Sequence, residues 1–363
     1  MTPTPSIKPV PAHTAADATA SQPGWIERHL VLLLAFAVGV GVGIAHFIPG
    51  VMRSIVDMRV GAISLPIAAL IWAAVIPAMM QASLPSNARL TFDWRGASIA
   101  LFVGGIIRPI SMALLAAIAL AWLFRPLLPA AEIPAYIAGL TLLAAGPPSL
   151  LTCLWVNLAG ADQRAALLQI LLAAGVALIA AGPAAALLLD LPIVLAPPSG
   201  MLIAVTVHVV VPVAIAQLLG RRLAAQGDHA VRVFTASLRP WTLGAVLLLL
   251  AILSGMAAPA LIQRPLVIAL LALSLACQVY LNAGQTMLMS RLADLPYARA
   301  VPTALIGASG SGIIAAALAA DAAGTGTATA VIAAVGLLAE IPLGLSVVLA
   351  LDACRRRYES AAR

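Results

Sequence analysis

Two charged residues, Arg108 in GGIIRPIS and Glu340 in VGLLAEIPLGL, each stand within a long apolar stretch. An arginine at the centre of an apolar membrane layer costs about 2.5–3.5 kcal/mol, so it needs a partner or water. We expect Arg108 to face the interior, as a counter-charge for an anionic ligand or for Glu340; alternatively, its side chain extends to the membrane surface. Three roles stay open for Glu340: a salt bridge with Arg108, binding of a coupling cation, or carrying of a coupling proton.

Hydroxyl groups lie beside two interruptions of apolar segments. The first interruption consists of Gly146, Pro147, Pro148 and Ser149, with Thr152 and Cys153 following it. The second, 163 residues later, consists of Ser309, Gly310, Ser311 and Gly312. Consecutive prolines break a helix, and inside a bilayer the freed backbone groups must face protein or water. Such groups can bind a cation or a hydroxylated substrate, whereas the alternative is hydrogen bonding between packed helices. Paired interruptions in corresponding halves point to a transporter's binding site.

Three further side chains have both a functional and a structural interpretation. Cys153 can bind a soft metalloid as a thiolate, but a lone buried cysteine commonly acts as a small hydrophobic residue. His208 can relay protons, or it is a hydrogen-bonded interior histidine. Asp162 is interpreted as structural, because a carboxylate suits the N-terminus of the helix that begins there.

The composition is that of a polytopic helical membrane protein. Hydrophobic residues make up 63% of the chain and charged residues 9%, and the mean hydropathy is +1.07, which excludes an ordinary soluble domain. The net charge of +7 predicts no nucleic-acid partner, because the charges are scattered over short loops. The three cysteines show neither metal-ligand spacing nor a disulfide framework. No catalytic or nucleotide-binding motif occurs, so we expect no enzyme activity, no cofactor and no metal site.

Ten apolar segments are each long enough to cross a bilayer. They cover about residues 29–48, 61–81, 97–123, 135–159, 164–189, 199–219, 241–258, 265–289, 300–320 and 326–351. Residues 1–25 are predicted to be a disordered cytoplasmic tail rather than a signal peptide. The longest Arg-rich loop is expected over Gly220–Pro240. Of the 20 basic residues, 15 fall on one side of this arrangement, which places both termini in the cytoplasm.

The two interruptions divide the chain into halves. Residues 26–190 and 191–352 each hold five predicted spans, and residues 353–363 form a basic cytoplasmic tail. Because five is odd, the second half is inverted relative to the first. The predicted fold is all-α and polytopic, with ten transmembrane helices in two inverted five-helix repeats and discontinuous helices 4 and 9. Such repeats imply alternating access around a central site.

Four stretches carry a family resemblance. They are VGAISLPIAALIWAAVIP (Val60–Pro77), WVNLAGAD (Trp155–Asp162), GASGSGIIAAA (Gly307–Ala317) and VGLLAEIPLGL (Val335–Leu345). They resemble the bile acid:sodium symporter superfamily and, within it, the arsenical-resistance permease branch. The resemblance covers about residues 29 to 351. It implies a panel domain and a core domain, with helices 4 and 9 unwound and crossing, and its Glu-x-Pro implies a working role for Glu340.

The chain departs from both branches at positions that the resemblance marks as ligands. Pro148 stands where the arsenical branch has a cysteine at the start of the fourth-span break. The sodium-site positions of the symporter branch are here Thr152-Cys153, Leu305 and Ser309-Gly310. We therefore expect weak or absent arsenite resistance. Glu340 remains the one carboxylate expected near mid-membrane, which favours proton over sodium coupling.

The sequence thus predicts a secondary active transporter of the inner (plasma) membrane for a small oxyanion, metalloid or organic anion. The alternatives are a sodium-coupled, bile acid-like symporter and a non-transporting membrane receptor or scaffold. The expected partners are a small-molecule or ion substrate and membrane lipid, and a homo-oligomer is left open. The candidate substrate-binding residues are Arg108, Gly146, Pro147, Pro148, Ser149, Thr152, Cys153, Ser309, Gly310 and Ser311. Glu340 is the candidate ion-coupling residue.

Overall fold

The computed structural model describes residues 29–60, 63–82, 93–189, 199–310 and 327–360. The tail predicted over residues 1–25 and the candidate residue Ser311 therefore lie outside the described residues. Within them, the chain is helical apart from turns and one short antiparallel hairpin, in which Arg59–Val60 pairs with Ile63–Ser64.

The helices of the first half precede residue 190. They are α1 (Leu30–Phe47), α2 (Pro49–Asp57), α3 (Leu65–Met80), α4 (Trp94–Leu123), α5 (Ile133–Ala145), α6 (Thr152–Leu158) and α7 (Gln163–Leu189). In the second half, α8 begins with Ser199–Val205 and continues through Thr206–Val210 into Val211–Ala224. The helices that follow are α9 (Asp228–Gln263), α10 (Pro265–Leu292), α11 (Tyr297–Ala308) and α12 (Thr327–Ser360).

Two helices widen into π turns just ahead of a proline. In α4 the π turn Val103–Ile107 precedes Arg108-Pro109, and in α8 the π turn Thr206–Val210 precedes Val211-Pro212. Because proline has no N–H and its ring crowds the preceding turn, a local change of helical pitch accommodates it. π turns of this kind are frequent at functional sites, and the one in α4 leads directly into Arg108.

Seven of the described helices are long and apolar enough to cross a membrane, judged by length and composition. They are α1, α4, the first part of α7 (Gln163–Ala180), α8, α9, α10 and α12. The apolar segments Leu65–Met80 and Ala130–Ala145 are shorter. Large side chains such as Phe36 (70% exposed) and Trp122 (79% exposed) point outward, as expected where lipid is the solvent. The chain is therefore an all-α, multi-pass membrane protein; ten spans and inverted repeats stay predictions.

The helices pack as two groups. In the first, α9 packs against α1 and α3, and α8 packs against both α3 and α9. The second contains α4 to α7 together with α10, α11 and α12. The groups meet where α9 packs on α12 and α3 packs on α6. The panel domain and core domain that the resemblance implies stay predictions.

The loop predicted over Gly220–Pro240 is mostly helical. In the structure α8 continues to Ala224 and α9 begins at Asp228, so that only a short turn separates them. No glycine or proline lies between Asp228 and Arg239, and an interior polar stretch without these residues continues a helix readily. The basic residues of this stretch are consequently fixed on a helix surface. Residues 353–360 of the predicted basic tail are likewise helical.

Candidate functional site

The first predicted interruption, Gly146–Ser149, lies within the segment 146–151, which separates α5 from α6. The chain is extended at Gly146 (φ −63°, ψ 162°), and Pro147 and Pro148 have no N–H with which to continue the helix. The Oγ of Ser149 accepts the backbone N–H two residues further on, at 3.2 Å. The whole segment is buried, so its backbone faces protein rather than lipid.

The second predicted interruption begins where α11 ends. The chain is extended at Ser309 (φ −106°, ψ 140°), and the Oγ of Ser309 donates to the carbonyl oxygen of Leu305 at 2.6 Å. Gly310 comes so close to α5 that a Cβ at this position would lie 2.8 Å from the carbonyl oxygen of Leu143. The two interruptions therefore meet, and glycine permits the close approach.

Arg108 of α4 joins the two interruptions. Its side chain is only 2% exposed, and its Nε donates to the carbonyl oxygen of Ala144 at 2.7 Å. Nη2 donates to the carbonyl of Gly146, and Nη1 donates to the carbonyl of Ser309. These carbonyls lie at the C-terminal ends of α5 and α11, where the helix dipole is negative and the last carbonyls lack helical partners. The guanidinium satisfies both ends, and the alternative in which it extends to the membrane surface is wrong.

Glu340 approaches the first interruption from α12. The Oγ of Ser149 donates to the Oε1 of Glu340, and the Glu340 side chain is half-buried. Because the three nitrogens of Arg108 donate to backbone carbonyls, a salt bridge with Glu340 is not needed to explain how the arginine is accommodated. The Glu340 carboxylate thus lies in the same site as Arg108. Its hydrogen bond comes from the Ser149 side chain, whereas Arg108 binds backbone carbonyls.

A cavity with about 580 Å³ of empty space lies where α5, α10, α11 and α12 meet. The polar residues of its wall, among those that the structure describes, are Arg108, Gln278, Ser309 and Glu340. A second cavity also reaches Arg108 and is lined by Gly146 and Pro148. An apolar cavity with a few convergent polar groups and charges of both signs is suited to a small polar or ionic ligand.

Four of the described candidate residues do not line these cavities. Thr152 and Cys153 are fully buried on α6 and, like Pro147 and Ser149, are absent from both cavity walls. Cys153 lies in the larger apolar cluster of the protein, which supports its interpretation as a small hydrophobic residue. The Oγ1 of Thr152 has no hydrogen-bond partner among the described residues.

A stripe of buried polar residues along α10 is absent from the predictions. Its members are Ser274, Gln278, Asn282, Thr286 and Ser290, each at most 3% exposed. Gln278 Nε2 donates to the carbonyl oxygen of Arg108 at 3.1 Å, so the stripe reaches the site. Residues four apart share one helix face, and this strict spacing of polar residues in an apolar segment is the sequence signal that could have found them.

His208 and Asp162 are hydrogen-bonded locally. His208 is 8% exposed, and its Nδ1 lies 3.0 Å from the carbonyl oxygen of Ala204. The Oδ1 of Asp162 accepts the N–H groups of Arg164 and Ala165, both at 3.0 Å, and so caps α7. The structural interpretation of Asp162 is confirmed, and His208 is a hydrogen-bonded interior histidine.

An ion pair connects the C-terminal end of α9 to the segment that precedes α5. Arg264, which follows α9, donates to the carboxylate of Glu132 and, at 3.2 Å, to the Oη of Tyr136. The hydrogen bond from Arg264 lowers the pKa of Glu132, and the same bond raises the pKa of Arg264. Both groups are therefore charged at neutral pH, and the pair links the two helix groups at this end. Among the described residues, no group of three or more His, Cys, Asp or Glu could hold a metal ion.

Comparisons with known proteins point to transport. The chain is 27% identical over 343 residues to the arsenical-resistance protein Acr3 of Alkaliphilus metalliredigens, covering 94% of this chain and 96% of that protein. It is 27% identical over 336 residues to an uncharacterized transporter of Synechocystis, covering 89% and 87%. No family model matches the chain.

The two names, together with the seven apolar helices, support a multi-pass membrane transporter. The first name agrees with the arsenical-resistance branch that the sequence motifs resemble. Neither name refers to bile acids or to sodium.

Proposed function

We propose that this membrane protein is a secondary active transporter that moves a small oxyanion, metalloid or organic anion by alternating access. The observation that carries the proposal is the meeting of both helix interruptions at one buried arginine, since Arg108 donates to the carbonyls of Gly146 and Ser309. Interrupted helices that meet within the membrane form the binding sites of secondary transporters. The substrate then occupies the central cavity between Arg108 and Glu340.

Arg108 acts in this proposal as a cation that cannot leave. Carbonyls at the ends of half-helices commonly coordinate a coupling ion such as sodium in transporters of this kind. Here a guanidinium donates to three such carbonyls, and its side chain remains tethered to α4 through every transport cycle. The need for a bound cation at these carbonyls is thereby removed, which favours a coupling ion other than sodium.

Glu340 supplies the group that can gain and lose a proton. It lines the central cavity and accepts a hydrogen bond from Ser149. A carboxylate in a membrane cavity changes its proton affinity as its surroundings become more or less hydrated. Protonation of Glu340 on one side of the membrane and release on the other couples substrate movement to a proton gradient.

The arrangement of the chain in the membrane follows the predicted pattern in this proposal. Two inverted five-helix repeats, over residues 26–190 and 191–352, alternate around the central site. Both termini face the cytoplasm, and the protein resides in the inner (plasma) membrane. The first interruption, Gly146–Ser149, and the described part of the second, Ser309 and Gly310, are the moving contacts, with Arg108 between them.

The name of the first relative makes arsenite the first substrate to test. Arsenite at neutral pH is largely an uncharged, hydroxylated molecule, and hydroxyl and carboxyl groups of Ser309 and Glu340 line the cavity. Cys153 lies in the apolar core instead. Recognition at this site therefore rests on hydrogen bonds rather than on a thiolate.

The proposal is tested by uptake into everted membrane vesicles. Arsenite, antimonite and a panel of organic anions are offered with a proton gradient, with a sodium gradient, and with neither. We expect at least one of them to accumulate with the proton gradient alone. Accumulation that requires sodium would instead support the sodium-coupled symporter, and no movement of any compound would support a non-transporting receptor.

A further inference from the structure

We infer that the chain has a second ligand site, an anion-binding vestibule at the basic end of α9. The vestibule is a cavity with about 870 Å³ of empty space, walled by α3, α6 and α9. Its wall includes the polar residues Gln81, Asn157, Arg232 and Arg239. Its ligand is a small soluble molecule with anionic oxygen atoms of the phosphate, sulfate or carboxylate type.

The position of the two arginines follows from the geometry of α9. Arg232 and Arg239 are seven residues apart on one continuous helix, so they project from the same face about 10 Å apart along the axis. Ala236 lies between them on that face, and all three line the vestibule. Two guanidinium groups are thus directed toward one space, which a flexible loop would not ensure.

The two charged residues that line the vestibule within the described part of the chain are both arginines. Among the described residues that line it, none is an aspartate or a glutamate. Guanidinium groups match the geometry of carboxylates and oxyanions through paired N–H donors, and the amides of Gln81 and Asn157 can add further donors. A cleft with charges of one sign and low-dielectric walls raises the local concentration of the opposite ion.

Thr242 lines the vestibule, but its hydroxyl does not face the open space. The residue is 5% exposed, and its Oγ1 is buried from solvent. The contacts to the anion are therefore assigned to the guanidinium groups and the amides of the wall.

The vestibule lies close to the central site along the chain. Asn157 in its wall belongs to α6, the short helix that begins three residues after Ser149. The helix α6 has seven residues and is therefore only about 10 Å long. The inference rests on the proposed function only in giving the bound anion a route to the central cavity; the binding itself does not depend on transport.

The test measures the reactivity of a single cysteine in the vestibule. Ala236→Cys is made in a chain whose two exposed cysteines, Cys277 and Cys354, are replaced by serine. The protein is reconstituted in phosphatidylcholine nanodiscs and reacted with methanethiosulfonates that are anionic (sulfonatoethyl) or cationic (trimethylammonioethyl). The quantity measured is the reaction rate of the anionic reagent divided by that of the cationic reagent. We expect the anionic reagent to be favoured, and this rate ratio to fall about threefold or more in Arg232→Gln/Arg239→Gln.

Two matched variants keep this result specific. Arg221→Gln/Arg222→Gln removes the same charge from α8, outside the vestibule wall, and should leave the ratio unchanged. Arg232→Lys/Arg239→Lys keeps the charge and should retain most of the ratio, which excludes misfolding as the cause of a loss. An equal fall in the control pair and the vestibule pair would overturn the inference.

A second arm identifies the ligand chemistry and its source. Sodium sulfate or inorganic phosphate, compared with sodium chloride at equal ionic strength, should slow the reaction of Ala236→Cys with uncharged methyl methanethiosulfonate. The protection should be lost in Arg232→Gln/Arg239→Gln. The inference would be overturned if neither soluble anion protected the cysteine. It would also be overturned if protection appeared only with phosphatidylglycerol in the nanodisc, because the vestibule would then bind lipid headgroups. Neither outcome depends on whether the chain transports arsenite.

Discussion

The Nε of Arg108 lies 2.7 Å from the carbonyl oxygen of Ala144, in the last turn of α5. Its two terminal nitrogens extend the same contact to Gly146 and Ser309, one from each interruption. One side chain from α4 therefore holds two helix ends that are far apart in sequence. Its charge complements the negative ends of both helices, so positioning and electrostatics are supplied by the same group.

The first prediction concerns the stability provided by Arg108. Arg108→Gln leaves at least one of the three carbonyls without a donor, because a carboxamide has only two N–H groups, and each unsatisfied buried group costs about 1–3 kcal/mol. We expect the melting temperature of the purified protein, followed by size-exclusion chromatography after heating, to fall clearly. Arg108→Lys should be intermediate, because an ammonium lacks the planar fork. The control Arg125→Gln changes an exposed arginine and should melt like the parent; equal melting of Arg108→Gln would contradict the assigned contacts.

The second prediction concerns coupling through Glu340. Glu340→Gln keeps an acceptor for Ser149 but cannot gain or release a proton, so transport driven by a proton gradient should be abolished. Membrane abundance should stay close to that of the parent, and substrate exchange without a gradient should survive better. Normal gradient-driven transport by the variant would show that Glu340 is not the coupling group. If instead the variant fails to accumulate and Arg108→Gln restores it, the two residues form a structural salt bridge.

The third prediction concerns the packing of α1 on α9. A Cβ on Gly41 would lie 1.9 Å from the backbone carbonyl oxygen of Ala251, whereas a Cβ on Gly43 would meet nothing within 4 Å. Backbone cannot rotate away as a side chain can, so Gly41→Ala forces the helices apart at a cost of about 1–3 kcal/mol. Thermal unfolding should therefore show a lower melting temperature for Gly41→Ala than for Gly43→Ala. Equal melting temperatures would mean that the two helices do not approach at Gly41.

The fourth prediction concerns the thiol of Cys153. Because this residue is buried in the apolar core and lines neither cavity at Arg108, replacement by alanine should not change substrate recognition. We expect weak or no protection of an arsenite-sensitive host by the chain, and any protection should survive Cys153→Ala. Protein levels in the membrane are measured in parallel, with Cys277→Ala as the matched control. Loss of protection at an unchanged Cys153→Ala level would show that the thiol binds the metalloid.

Sequence patterns located the interruptions and the interior position of Arg108, because proline chemistry and the cost of a buried charge act locally. They did not identify the partners of Arg108, since carbonyls at Ala144 and Ser309 are brought together only by packing. The vestibule was hidden for a related reason. Arg232 and Arg239 were assigned to a loop, whereas the helix continues through them and directs both side chains to one face. The polar stripe of α10 is different, because the spacing of its polar residues, one every four positions in an apolar segment, is visible in the sequence alone.

The central claim is that the cavity between the interruptions opens alternately to the two sides of the membrane. It is tested most directly by the accessibility of Ser309→Cys, with Cys277 and Cys354 replaced by serine, to a membrane-impermeant maleimide. The reagent is added to whole cells and, separately, to everted vesicles, with Ala236→Cys in the vestibule as the one-sided control. We predict that Ser309→Cys is labelled from both sides and that a transported substrate slows both reactions. Labelling from one side only, unaffected by any transported compound, would contradict an alternating-access site at Arg108 and Glu340.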